Sequence, residues 1–354
     1  MEKVYQNILR KTAFDVPHDW LRIRTIDMHT GGEPLRVILG GLPELEGNSV
    51  LEYRRYMKEN LDQLRTSLMF EPRGHADMYG CILLPPNNDS ADFGILFIHN
   101  EGYSTMCGHA IIAISRLAVD MCWIKKTHPQ TKLEIDAPCG RITSWVNLNE
   151  QEKYLSTEFH CVPSFVVGLD YEVEVKGTGK VKYDLAYGGA FYAYVDADAL
   201  GLELSEDNYR ALIEKGMDIK HAVMNTNDKI LHPFEDDLSF LYGTIFISKK
   251  AQNGGDDRNV CIFADGEVDR SPTGSGVSGR MAIHAARQEM KVGSQPRVIE
   301  SILGTKFEAS IDKEVDFGHF KAVIPKVKGT AHIVGQNEWL IDPEDDLKSG
   351  FILR

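Results

Sequence analysis

Apolar and polar residues alternate in short runs along most of this 354-residue chain, and that alternation predicts strands more often than helices. Runs at 22–28, 34–39, 80–84, 93–99, 132–136 and 140–146 are each bounded by Gly, Pro, Asn or Asp. After Pro163 the order resumes, with strands predicted at 181–187, 190–195, 240–247, 259–264, 297–303, 306–311, 320–327 and 331–341. Helical spacing interrupts the strands. Ser49 and Glu52 form a capping box ahead of Met57, Leu61, Leu64 and Leu68, which recur at intervals of three and four. A second helix is predicted from about Gly108, burying a stripe of Ala110, Ile111, Ile114, Leu117 and Ala118. Ser205 opens another over about 206–221, and a further helix follows Gly276.

Composition narrows the class. At 43% hydrophobic and 26% charged the chain is too apolar for disorder, and no run approaches the ~20 apolar residues of a membrane span. A net charge of −13 argues against nucleic acid and against an anionic membrane surface as partner. The length suits two lobes, and the absence of a Pro- or Ser-rich linker predicts that they pack tightly. The six cysteines, at 81, 107, 122, 139, 161 and 261, form no CxxC pair and no metal-ligand spacing, so reduced thiols are expected. The N-terminal segment has neither the apolar core nor the cleavage site of a signal peptide, which makes the cytoplasm the expected location.

Two segments carry chemistry. Cys107-Gly108-His109 opens a helix rich in small residues, and Thr273-Gly274-Ser275 opens another about half a chain later. They read either as a pseudo-symmetric pair facing one cleft or as two unrelated glycine-containing helix starts. A cysteine at the first turn feels the positive end of the helix dipole, which is expected to lower its pKa and favour thiolate; a buried structural cysteine is the alternative. His109 suits either substrate positioning or a satisfied core site. A cysteine hydrolase is disfavoured, because neighbouring residues at a helix start are expected to point in different directions. In DRSPTGSGVSGR (269–280) the glycines allow close backbone approach, but no GK[ST] follows, so a phosphate loop is excluded. Asp269 can accept hydrogen bonds from a substrate ammonium.

These segments belong to a larger pattern. DMHTGGEPLRV (27–37), FEPRGHADMYG (70–80), HNEGYSTMCGHA (99–110), AYGGAFYAYV (186–195) and DRSPTGSGVSGR together resemble the proline racemase family, in the family's order and over most of the chain. The resemblance implies an α/β fold of two pseudo-symmetric lobes of the diaminopimelate epimerase type, each wrapping strands around a central helix, with the active site between them. The first lobe, 20–160, would carry Cys107 and recover a C-terminal strand at about 336–354. The second, 161–335, would carry Asp269 and Thr273. A homodimer is also implied, and neither pyridoxal phosphate nor any other cofactor or metal is.

Family racemases use two cysteines as base and acid on opposite faces of the substrate α-carbon. Cys107 matches the first, but Thr273 stands in place of the second. A threonine hydroxyl is a poor proton donor and its alkoxide is inaccessible near neutral pH, so two-base racemisation is not expected. The resemblance is to the branch that dehydrates trans-3-hydroxy-L-proline, whose α-hydrogen and hydroxyl share one ring face. One thiolate there can take the proton and, as thiol, return it to the leaving hydroxyl. The enamine formed would become Δ1-pyrroline-2-carboxylate. Residual proline or hydroxyproline epimerisation, with Thr273 or a water as second acid, is the alternative. By the same resemblance, N–H groups of Gly108, His109, Gly274 and Ser275 would hold the carboxylate, and Asp269 and His109 the ring nitrogen. His29 and Glu33 lie in a matching motif without an assigned role beyond bracing the cleft.

Overall fold

The structure, a computed structural model, describes residues 2–226 and 230–353. Eight strands close into a ring around one helix in the second half of the chain. Ser164–Val175 pairs with Gly179–Tyr187, then Phe191–Asp196, Leu241–Ser248, Asp257–Phe263, Arg297–Glu300, Lys306–Phe317 and Phe320–Gly329, which returns to Ser164–Val175. The seven steps before closure are antiparallel, antiparallel, parallel, antiparallel, parallel, antiparallel, antiparallel.

The first half repeats that order. Ala331–Ile341 pairs with Leu21–Thr30, followed by Glu33–Gly40, Tyr79–Leu84, Phe93–His99, Gln130–Ala137, Gly140–Leu148 and Tyr154–His160, with the same sequence of parallel and antiparallel steps. Tyr154–His160 then joins Phe320–Gly329 of the second ring, and not Ala331–Ile341, so the first ring is open at that seam. The chain crosses back to the first ring at Thr330, so the last long strand completes a sheet begun by the first. The pseudo-symmetry is therefore one of topology, with the first lobe circularly permuted.

The helices are α1 (Glu2–Arg10), α2 (Val50–Asn60), α3 (Asp62–Met69), α4 (Gly108–Asp120), α5 (Tyr209–Thr226) and α6 (Gly274–Ala286). α4 runs inside the first ring and α6 inside the second. The expected one-sided stripe on α4 is too narrow. Ile112, Ala113, Ser115 and Val119 are buried as well, because a helix enclosed by strands on all sides has no solvent face. α6 is buried from Gly274 to His284, and starts at Gly274 rather than after Gly276.

Other differences have local causes. The helix expected to run unbroken past Leu61 is split there into α2 and α3, since Leu61 has non-helical dihedrals (φ −132°, ψ 18°) while its N–H still caps Met57. The strand expected at 297–303 stops at Glu300, whose fully buried carboxylate accepts N–H bonds from Gln252, Asn253 and Gly255 and a guanidinium bond from Arg258. Those bonds hold its pKa down at about 2. Tyr154–His160 and much of Ser164–Val175 carry too many polar or half-exposed residues to show as strands in the sequence; their ladders with neighbouring strands place them. Among the described residues no helix is long and apolar enough to cross a membrane, and the six cysteines are all unpaired.

Candidate active site

α4 and α6 meet N-terminus to N-terminus at the interface of the two rings. The approach is so close that a Cβ on Gly108 would lie 2.6 Å from the Cα of Gly274, and one on Gly274 would lie 2.7 Å from the Cα of Gly108. Only two glycines permit this contact. First-turn N–H groups of an α-helix have no intrahelical acceptor, and here two such sets converge, with both dipoles presenting their positive ends. The pair is built to receive an anion such as a carboxylate. Gly108→Ala is expected to wedge the lobes apart, costing about 1–3 kcal/mol of stability. It should also lower kcat/KM roughly 10²-fold by misplacing groups held on opposite lobes; thermal denaturation and steady-state kinetics on the variant measure both.

Cys107 caps α4 with extended dihedrals (φ −144°, ψ 103°), which fold its side chain back over the first turn so that Sγ accepts from the Ala110 N–H at 3.4 Å. The same folding brings Sγ to 3.1 Å from Nδ1 of His109. The expectation that these two side chains diverge is therefore wrong: it holds for residues inside a helix, not for a capping residue and the second helical position. His109 is no proton reservoir, since burial and the nearby Arg270 push its pKa down to about 3 and keep the ring neutral. Its edge abuts Tyr79, with ring centroids 4.8 Å apart.

The expected low pKa of Cys107 is also overturned. Burial pushes the thiol well above its ordinary value, and the nearby carboxylates Asp269 and Glu33 push in the same direction. Bonds from Ala110 N–H and the Tyr79 hydroxyl act the other way without prevailing. A helix dipole is worth about 0.3–2 kcal/mol, whereas removing a thiolate from water costs more. A cationic ring nitrogen beside those carboxylates is the charge that would favour thiolate.

Thr273 caps α6 in the left-handed region, at φ 66° and ψ 88°. A β-branched residue there stores strain of order 1–3 kcal/mol. Its neighbours impose it: Ser271 Oγ accepts from the Thr273 N–H at 3.1 Å, Asp269 Oδ1 accepts from the Ser271 N–H at 2.7 Å, and Asn259 donates to the Pro272 carbonyl at 2.8 Å. The Thr273 hydroxyl is buried without a well-formed hydrogen bond, with Asp269 and Cys261 as its polar neighbours. Asp269 itself is buried, which raises its pKa.

All seven residues named from the sequence, Cys107, Gly108, His109, Asp269, Thr273, Gly274 and Ser275, line one cavity of about 20 Å³. That space holds roughly one water, less than the volume of an imino acid. Glu33 stands behind the cavity wall, fully buried, accepting from the Arg270 N–H at 2.8 Å and facing the Arg270 guanidinium at 3.3 Å. It ties the first lobe to the loop carrying Asp269. His29 takes no part in the lining; it accepts from Gly32 N–H and stacks on His332.

Sequence reasoning missed several wall residues: Tyr79, Met106, Tyr192, Tyr242, Cys261 and Phe263. Tyr192 lies in a motif already singled out, and its hydroxyl pairs with Ser275 Oγ at 2.7 Å while Tyr194 donates to the Gly276 carbonyl. That strand therefore fixes the start of α6. Tyr79 and Met106 likewise fall in motif segments, 70–80 and 99–110, whereas Tyr242, Cys261 and Phe263 lie in apolar strands and read as core.

The family model described as proline racemase matches residues 25–352. The chain belongs to the proline racemase family. It is 51% identical over 95% of its length to a trans-3-hydroxy-L-proline dehydratase of Colwellia psychrerythraea, covering 94% of that protein. It is 44% identical to the human protein of the same name, over 94% of this chain and 95% of that one. Among solved structures, a hydroxyproline epimerase of Agrobacterium vitis with bound trans-4-hydroxy-L-proline superposes with a TM-score of 0.87 at 28% identity, covering 94% of this chain and 96% of that one. The family fold, two pseudo-symmetric α/β lobes, is the one found here.

Proposed function

We propose that this member of the family removes water from trans-3-hydroxy-L-proline, giving Δ1-pyrroline-2-carboxylate by way of the enamine. The observation that carries this reading is the unequal pair at the abutting helix starts: a thiol, Cys107, caps one and a strained hydroxyl, Thr273, caps the other. Relatives bearing the dehydratase name, at 44–51% identity, support it. In this mechanism the N-termini of α4 and α6 hold the substrate carboxylate and stabilise the enolate-like charge that develops on it. Asp269 keeps the ring nitrogen protonated and the α-hydrogen acidic. Cys107 takes the α-proton, and the 3-hydroxyl leaves from the same ring face, so Thr273 transfers no proton. A cytoplasmic location belongs to the same proposal, because that compartment keeps thiols such as Cys107 reduced.

One observation favours a second reading. Cys261 lines the same cavity beside Thr273 and would give an epimerase its missing acid, although burial pushes this thiol well up as well. Proton NMR of the protein in D₂O with trans-3-hydroxy-L-proline, L-proline and trans-4-hydroxy-L-proline separates the two. Imine from the 3-hydroxy substrate alone is the expected result. Deuterium at the α-carbon of the other two, with inverted configuration, would replace the dehydratase with the epimerase.

A further inference from the structure

Within the reading of the protein as a dehydratase, the route of the proton to the leaving hydroxyl is still to be assigned. The cavity wall has three tyrosines. Tyr192 is committed to Ser275. The Tyr79 and Tyr242 hydroxyls have each other and Ser104 as polar neighbours, and Tyr79 belongs to the same lobe as Cys107, at the start of the strand Tyr79–Leu84. Its ring is fixed from three sides: it stacks on His99 with centroids 5.6 Å apart, meets the edge of His109 at 4.8 Å and leans on Phe263 at 6.2 Å. So held, beside the His109 ring that itself touches Cys107, its hydroxyl faces the same cavity as Cys107 and has that thiol, Ser104 and Tyr242 as polar neighbours. The Tyr242 hydroxyl, buried and without a well-formed hydrogen bond, stands next to it.

The reaction places the leaving oxygen on the carbon next to the α-carbon and on the face that Cys107 attacks. Whatever group adjoins Cys107 Sγ on that side adjoins the leaving oxygen too. We propose that Tyr79 is the catalytic acid of the elimination, donating its hydroxyl proton to the departing 3-hydroxyl, and that Cys107 then restores it. In bonds, Cys107 Sγ gains the α-hydrogen while the Cα–H pair becomes the Cα–C3 double bond. The C3–O bond breaks with its pair on oxygen, and the Tyr79 proton completes a water molecule. The new thiol then passes its proton to the phenolate, regenerating thiolate and phenol. No co-reactant is needed.

The electrostatics run in the required order. Burial and the charge of Cys107 both hold the Tyr79 proton in place before reaction. Capture of the α-proton neutralises the thiolate and removes the second restraint at the moment the proton is needed. A thiol acting alone would have to turn from the α-carbon to the oxygen within a single elimination, which the relay avoids.

A leaving group that departs without a proton tests this. Tyr79→Phe should slow dehydration of trans-3-hydroxy-L-proline by about 10²-fold or more, the size of a general-acid contribution, and slow fluoride release from trans-3-fluoro-L-proline by less than about 10-fold. Retained defluorination also shows that the variant is folded. Equal losses on both substrates, or no loss on the hydroxy substrate, would overturn the assignment. Independently of any variant, the wild type should show a larger normal solvent deuterium isotope effect on dehydration than on defluorination, since thiol ionisation contributes equally to both; identical effects would overturn it too. A wild type that leaves the hydroxy substrate untouched would instead refute the dehydratase reading, and the assignment of Tyr79 with it.

Discussion

Cys107→Ser is expected to lower turnover of trans-3-hydroxy-L-proline by roughly 10³- to 10⁴-fold, the upper range for a positioned base. A serine hydroxyl at this position keeps the capping geometry over Ala110, so the fold should survive, but its alkoxide is out of reach in a buried site facing Asp269 and Glu33. The pH dependence follows from the same surroundings. Burial and the two carboxylates raise the thiol above its ordinary value of 9, so the thiolate of the free enzyme forms only on the alkaline side and is lost as pH falls. Wild-type kcat/KM, which reports the free enzyme, should therefore still be rising beyond pH 9, while the serine variant shows no such limb. Imine formation followed across a pH series measures both. A variant with near-wild-type turnover would remove Cys107 from the reaction.

The second large effect is a gain. Thr273→Cys should raise inversion at the α-carbon of L-proline by at least about 10²-fold over the wild type, by restoring a group able to carry a proton on the second face. The substitution suits the backbone. Threonine occupies φ 66° at the expense of its branched Cβ, and cysteine relieves that crowding. Nor does the exchange remove a well-formed hydrogen bond, since the threonine hydroxyl has none. Chiral chromatography of proline recovered from D₂O gives the readout: D-proline deuterated at the α-carbon is expected from the variant. Its absence would mean that position 273 alone does not decide between elimination and inversion.

The chain by itself determined the order of strands and helices wherever hydrophobic alternation was strong, because that alternation is a local consequence of one buried and one solvated face. It also marked the two glycine-bearing helix starts and the residues around them, since each start is written in three adjacent positions, Cys107-Gly108-His109 and Thr273-Gly274-Ser275. Strands such as Tyr154–His160, whose exposed faces blur the alternation, were settled by their partners in the sheet. Only the tertiary structure pressed Gly108 onto Gly274, turned Glu33 toward Arg270, and set Tyr79, Tyr242 and Cys261 around the cavity. In sequence Tyr242 and Cys261 are indistinguishable from core residues, and Tyr79 is marked only by its motif, because what separates a wall from a core is the void beside it, and the void lies where two lobes meet. The same enclosure raised the Cys107 thiol that a helix dipole alone would have lowered: the dipole is written in a local motif, whereas desolvation is the sum of everything packed around the group.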